Sequence, residues 1–158
     1  MKARIVVEWQ RLLEERLLAL ESSQSAARSG TRVDGEHRPS NRGERAAVTS
    51  QGYLAHGLGE RAMALRENLD NLEEMGTGPR NEVVVGALLT VSFAEADPSH
   101  IALLPGGDAT EIQIDGRRIQ VLSASSPIAR QLRYAEEGDA LEIERGGRFI
   151  EVEILSIE

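Results

Sequence analysis

The sequence contains no cysteine. Disulfides, thiolate-bound zinc and thiol nucleophiles are therefore excluded. Aromatic residues make up only 3% of the 158 residues, and the five rings are Trp9, Tyr53, Phe93, Tyr134 and Phe149. A chain so poor in rings builds its core from Leu, Ile, Val and Ala. It also lacks the row of stacking platforms on which single-stranded nucleic acid is held. Basic residues are in deficit as well. Eighteen Lys and Arg stand against 26 Asp and Glu, a net charge of −8, whereas a protein that grips nucleic acid through phosphates needs a basic face. No run approaches the roughly 20 apolar residues of a membrane span. Near the N-terminus, Lys2 and Arg4 are followed by three apolar residues and then Glu8, Gln10 and Arg11. That pattern forms no signal peptide, so a cytoplasmic protein without membrane association is expected.

What is present is 41% hydrophobic residues, enough for one ordinary domain or two small ones. The acidity is uneven. Residues 1–79 carry 11 basic and 12 acidic residues, while residues 80–158 carry 7 and 14. Val6, Trp9, Leu13, Leu17 and Leu20 recur at three- and four-residue steps and predict a helix over 4–21, with Leu12 and Leu18 widening the stripe. Residues 22–45 lose that period in a run of Ser, Gly and Pro, which predicts an irregular tip. Five arginines (28, 32, 38, 42 and 45) against Asp34, Glu36 and Glu44 make this segment locally basic. Leu54, Leu58, Ala62, Leu65, Leu69, Leu72 and Met75 predict a second helix over 46–75, stopped by Gly76, Gly78 and Pro79. Gly52, Gly57 and Gly59 weaken its first half by up to about 1 kcal/mol each, or they allow close approach of another helix. Neither helix can bury its stripe alone, so an antiparallel hairpin is expected.

After Gly76–Arg80 the period changes to that of strands. Val83–Val85 and Leu88–Val91, then Ile101–Leu104, are apolar runs, and Ile112/Ile114 and Ile119/Val121 alternate with polar residues. Asp115-Gly116 signals a tight hairpin turn, and Gly146-Gly147 a second one between Leu141/Ile143 and the alternating run 149–157. Ser126 to Tyr134 reads as a short helix, with Ser126 as N-cap and Pro127 at the first helical position. The expected fold class is α+β: a helical hairpin at 1–77, with its tip at about 22–45, and a small sheet domain with one short helix at 78–158.

Several weaker signals resolve to ordinary structure. His37, His56 and His100 have no metal-binding spacing. Leu104-Pro105-Gly106-Gly107-Asp108 lacks the lysine and the following helix of a phosphate loop and reads as a turn. Ser123, Ser125 and Ser126 have no histidine and acid arranged with them as a hydrolase needs.

Ser126-Pro127-Ile128-Ala129-Arg130 opens a helix, Glu136-Glu137-Gly138-Asp139 follows, and after a strand and a Gly-Gly turn the chain ends in residues 152–158, Val-Glu-Ile-Leu-Ser-Ile-Glu. This order resembles the C-terminal domain of the GreA/GreB transcription elongation factors, and residues 61–75 resemble the second coiled-coil helix of the same family. The resemblance covers about residues 50–158 by pattern, and the first helix by architecture. It implies an antiparallel coiled coil followed by an FKBP-like domain. It further implies a bacterial RNA polymerase as partner, bound at its secondary channel, and a protein that is no enzyme itself. In the family the coiled coil enters the channel, acids at its tip help hold a catalytic magnesium ion, and the polymerase then cuts backtracked RNA.

Matching backwards without gaps from the second helix sets Asn41-Arg42-Gly43-Glu44-Arg45 at the family's Asp-Leu-Lys-Glu-Asn tip. Glu44 matches the glutamate and is a candidate ligand for Mg2+ shared with the polymerase; it also reads as a helix N-terminal acid favoured by the macrodipole. Asn41 replaces the aspartate, and an amide is a weaker magnesium ligand than a carboxylate. Arg42 and Arg45 add positive charge, which suits contact with nascent RNA or nucleotide phosphates. Asp34 and Glu36 lie nearby, and in a factor that keeps cleavage activity one of them supplies the second carboxylate beside Glu44. Two readings of the same body follow: a factor that stimulates cleavage, and an inhibitor or modulator that occupies the channel without cleavage. Ser126, Pro127, Ile128, Arg130 and Arg133 are the expected docking residues, and a monomer is expected. A third reading, a prolyl isomerase, rests on the implied FKBP-like fold alone and is opposed by the shortage of rings for a proline pocket.

Overall fold

The computed structural model describes residues 1–31, 42–94 and 96–158; for residues 30, 31 and 44 it describes the backbone only. Helix α1 is Lys2–Thr31 and helix α2 is Arg42–Glu74. Strands β1 (Leu88–Phe93), β2 (Ser99–Leu103), β3 (Asp108–Ile114) and β4 (Arg117–Leu122) follow. Then come the short helix α3 (Pro127–Gln131) and strands β5 (Ala140–Arg145) and β6 (Arg148–Ile157). The chain divides into two compact units: Met1–Gln10 with Asp70–Glu158, and Arg11–Leu69.

In the unit of residues 11–69 the two helices run antiparallel. Gln24 Nε2 donates to the Ala55 carbonyl at 3.2 Å, and Arg66 pairs with Glu21. The seam follows the predicted stripes at Leu13 and Ala62 and adds Ala27 and Ala55 from outside them. Leu13, Ala27, Ala55 and Ala62 are buried, whereas Leu18 and Leu54 lie on exposed faces, 66% and 52% accessible. Leu17, Leu20, Leu58, Leu65 and Leu69 of the predicted stripes are half-buried, so leucines and small residues share the seam. Gly59 is part of this: a Cβ there would come within 2.4 Å of Gln24 Nε2, while Gly52 and Gly57 face open space.

Residues 22–31 correct the expectation of an irregular tip over 22–45, because α1 continues through them. Serine and glycine weaken a helix without forbidding it. Here Ser23 and Ser29 turn their hydroxyls back onto the carbonyls of Ala19 and Ala26, and Ala27 keeps the seam buried. At the other end, α2 begins at Arg42 rather than 46 and is closed by Gly76 in the left-handed region, φ +67°.

The sheet has the order β3-β4-β2-β1-β6-β5. Neighbours are antiparallel except β2 and β4, which pair in parallel. The two predicted hairpins form. Asp115 and Gly116 have φ of +54° and +77°, and Gly146 and Gly147 +62° and +77°, the doubly left-handed turn that matches the strand twist. Val83–Val85 is not a strand: Val83 is buried against the core, but Val85 leads into a turn at Gly86, φ +88°, whose N–H bonds to the Leu103 carbonyl. The helical stretch expected over 126–134 shortens to Pro127–Gln131, with Leu132 as its C-cap.

Period-2 alternation gives the sheet two apolar faces. One holds Leu89, Val91, Ile101, Leu103, Leu122, Ile143, Val152 and Ile154, and Ala129 and Leu132 of α3 pack onto it. Register sets Leu88, Ala102, Val121, Ile119 and Ile112 on the other. The first ten residues belong with this sheet. Trp9 is fully buried and its Nε1 donates to the Pro105 carbonyl at 2.9 Å. Arg4 pairs with Asp115, and Lys2 Nζ donates to the Gly78 carbonyl at 2.8 Å.

Candidate functional site

Helix α3 is held in place by three devices, each readable in its residues. The Ser126 side chain accepts from the Ala129 N–H at 3.2 Å, and Pro127 has no N–H to leave unsatisfied at the first helical position. Ile128 is half-buried against the core, and Ala129 and Leu132 are fully within it. Gln131 then ties the helix sideways to β5. Its Oε1 accepts from the Glu144 N–H at 2.7 Å while its Nε2 donates to the Glu144 carbonyl at 3.2 Å. An amide side chain so placed completes the hydrogen bonding of an edge strand.

The other side of α3 and the turn after it face outward. Pro127, Arg130, Arg133 and Tyr134 are exposed, Tyr134 at 89%. Arg130 is steadied by donating from Nε to the Ser125 carbonyl at 2.7 Å, and Arg133 lies over the Tyr134 ring, 5.9 Å from its centroid. Of the residues that the sequence singles out for docking, Pro127, Arg130 and Arg133 therefore share an exposed surface, while Ser126 and Ile128 serve the helix and its packing. Tyr134 and Gln131 were not singled out. Tyr134 falls outside the motif, and nothing in a sequence shows that a glutamine five residues into a helix meets a strand edge. Beside this surface is an open cavity of about 620 Å³, lined in part by Arg133, Tyr134, Glu82 and Glu137.

At the hairpin end, Arg42 and Arg45 lie in the first turn of α2 and are exposed. Glu44 is in the same turn, and its side chain lies outside the described residues, as do Asn41, Asp34 and Glu36. In the sequence Glu44 is flanked by the guanidinium groups of Arg42 and Arg45, with the amide of Asn41 where the family has an acid. Among the described residues no three His, Asp or Glu side chains gather into a metal-holding group.

The rings that a proline pocket needs do not converge. Phe93 lies under Arg145, Tyr134 is exposed on the α3 side, and Phe149 is 74% exposed. The serines at 123 and 125 bond to each other at 2.8 Å, and Ser123 Oγ also accepts from the Ser125 N–H at 3.2 Å, which makes them part of a turn.

No family profile matches the chain, and no curated protein matches it. Solved structures do. The crystal structure of GreA factor homolog 1 (Gfh1) from Thermus thermophilus is 13% identical, with 98% of this chain and 93% of that one covered at a TM-score of 0.38. Thermus aquaticus Gfh1 is 16% identical, with 91% and 92% covered at 0.39. A further structure of the transcription factor Gfh1 is 13% identical, with 98% and 91% covered at 0.39. At such identities and TM-scores the likeness transfers no activity, partner or residue role to this chain.

Proposed function

We propose that this chain is a Gre-like transcription factor that binds bacterial RNA polymerase and regulates elongation from the secondary channel. The carrying observation is the helical hairpin itself. Its helices of 30 and 33 residues are about 45 and 50 Å long at 1.5 Å per residue. The sequence pattern of residues 61–75 and 126–158, which resembles the Gre family, falls on α2 and on α3 to β6 in the expected order. In this reading the end of the hairpin enters the channel, and Pro127, Arg130, Arg133 and Tyr134 form the docking surface.

The exposed arginines at the start of α2 favour a modulator over a cleavage factor. Arg42 and Arg45 suit contact with RNA or nucleotide phosphates. Glu44 has a neutral amide, Asn41, where the family has its aspartate, which weakens any hold on a metal at the polymerase centre. The test is transcript cleavage in a stalled, backtracked polymerase complex at saturating magnesium, with binding measured separately. Binding without faster cleavage, weakened by Arg130→Glu with Arg133→Glu, is the expected result. Accelerated cleavage that is lost in Glu44→Ala would establish the cleavage reading instead. Absence of binding would overturn the proposal as a whole.

A further inference from the structure

The sheet face on which α3 packs is only partly covered. Where α3 leaves it open there is a trough of about 390 Å³ that runs across strands, within the size range of ligand sites. Register sets Arg118 and Gln120 of β4 on this face, beside Gln113 of β3 and Ile101 of β2. Arg117 and Arg145, from β4 and β5, also line it, as does Phe93 of β1. The guanidinium of Arg145 sits over the Phe93 ring, 5.1 Å from its centroid, which holds it in place as a planar donor.

The charge here runs against the rest of the molecule. Residues 80–158 contain 7 arginines and 14 acids, yet three of those arginines line one trough whose only described acidic lining residue is Glu111. Among the described residues none of the three forms an ion pair. The guanidinium groups of Arg118 and Arg145 repel one another, and a ligand that brings carboxylates relieves that repulsion through bidentate hydrogen bonds, while Arg117, whose Nη1 donates to Met1 Sδ at 3.8 Å, is set on the opposite face by register. Gln120 adds an amide with both donor and acceptor capacity, suited to a peptide main chain.

We propose that this trough binds an acidic, extended peptide segment of another protein, with carboxylates meeting Arg118 and Arg145 and its backbone meeting Gln120. A nucleic acid fits less well. The Phe93 ring is occupied by Arg145 and unavailable for base stacking, and the ring of His100, which also lines the trough, is tied through Nδ1 to Thr90 Oγ1 at 3.3 Å. The site shares no residue with the outward surface of α3, so it stands independently of the polymerase-docking reading.

The experiment uses the full chain and a short fluorescein-labelled peptide of alternating glutamate and alanine, followed by anisotropy at low ionic strength. Saturable binding is expected, weakened by added salt and weakened about tenfold or more in the double variant Arg118→Glu/Arg145→Glu. The milder pair Arg118→Gln/Arg145→Gln serves where charge reversal disturbs folding, as judged by circular dichroism. Arg61→Glu, an exposed arginine of α2, is the charge-matched control and is expected to leave binding unchanged. Amide resonances of Phe93, Ile101 and Gln120 should move on titration. Absence of saturable binding, equal binding by the double variants, equal weakening by Arg61→Glu, or tighter binding of a labelled oligothymidine would each overturn the proposal.

Discussion

Replacing Trp9 tests how the start of the chain is held. The indole is 0% exposed, and its N–H bonds to the carbonyl of Pro105, 96 residues away. A buried tryptophan removes roughly 200 Å² from water, which at about 25 cal/mol per Å² is about 5 kcal/mol as an upper bound. Measured truncations of large aromatic residues to alanine fall at about 3–5 kcal/mol. Trp9→Ala should therefore destabilise the unit of residues 1–10 and 70–158 by about 4 kcal/mol. For a unit of roughly 100 residues each kcal/mol moves the midpoint by about 4–8 °C, so Tm should fall by about 15–30 °C. Trp9→Phe keeps most of the volume but leaves the Pro105 carbonyl without this donor, at about 1–2 kcal/mol. Circular dichroism melts of the three proteins provide the measurement. Trp9 is also the chain's one tryptophan, so wild-type fluorescence should be blue-shifted and shielded from iodide until the same transition. A Trp9→Ala protein that melts within a few degrees of wild type would refute the burial argument, whatever the fluorescence shows.

Further substitutions separate glycines that the fold needs from those it does not. A Cβ at Gly107 would come within 2.2 Å of the Leu122 carbonyl carbon, so Gly107→Ala should cost about 1–3 kcal/mol. Gly57→Ala, in a helix with open space around it, should stabilise α2 by up to about 1 kcal/mol; thermal melts read both. Gln131→Leu removes two hydrogen bonds to the Glu144 backbone, which should cost about 1–2 kcal/mol and speed hydrogen exchange of the Glu144 amide. Lys2 is the only lysine, and its pKa is lowered from 10.5, first by burial and then by Arg80, against an opposing pull from Glu158. Its charge therefore opposes folding below the lowered value, and that penalty fades as pH rises from there to 10.5. An NMR titration of this one side chain should give a midpoint below 10.5, and a midpoint at or above it would show that the ammonium is not desolvated.

The elements that the sequence reveals are those whose signal is local. Asp115-Gly116 and Gly146-Gly147 dictate their turns because only a few residue types accept two successive left-handed conformations. The alternation of 149–157 predicts β6, and the leucines after residue 54 predict α2. What escaped depends on partners distant in sequence. Residues 22–31 look like a loop because serine and glycine disfavour a helix, but Ala27 and Gln24 meet a second helix there. Val83–Val85 has strand composition but pairs with no strand among the described residues. Trp9 looks like one more seam residue until its indole N–H is followed to Pro105.

The candidate sites were legible to different degrees for the same reason. Ser126-Pro127 announces a helix start because capping is a matter of adjacent residues. The trough was invisible because Arg118 and Arg145 lie 27 positions apart and only the order of strands brings them to one face. Composition alone argued against any anion site, since a net charge of −8 describes the far field. At physiological ionic strength charges interact over about 8 Å. Within that distance a ligand at the trough meets Arg118 and Arg145 beside Glu111, and one at the start of α2 meets Arg42 and Arg45. Net charge therefore predicts that the chain as a whole stays off nucleic acid. The local arginines set what each surface attracts, and salt dependence should be steep for partners of those two surfaces and slight for contacts elsewhere.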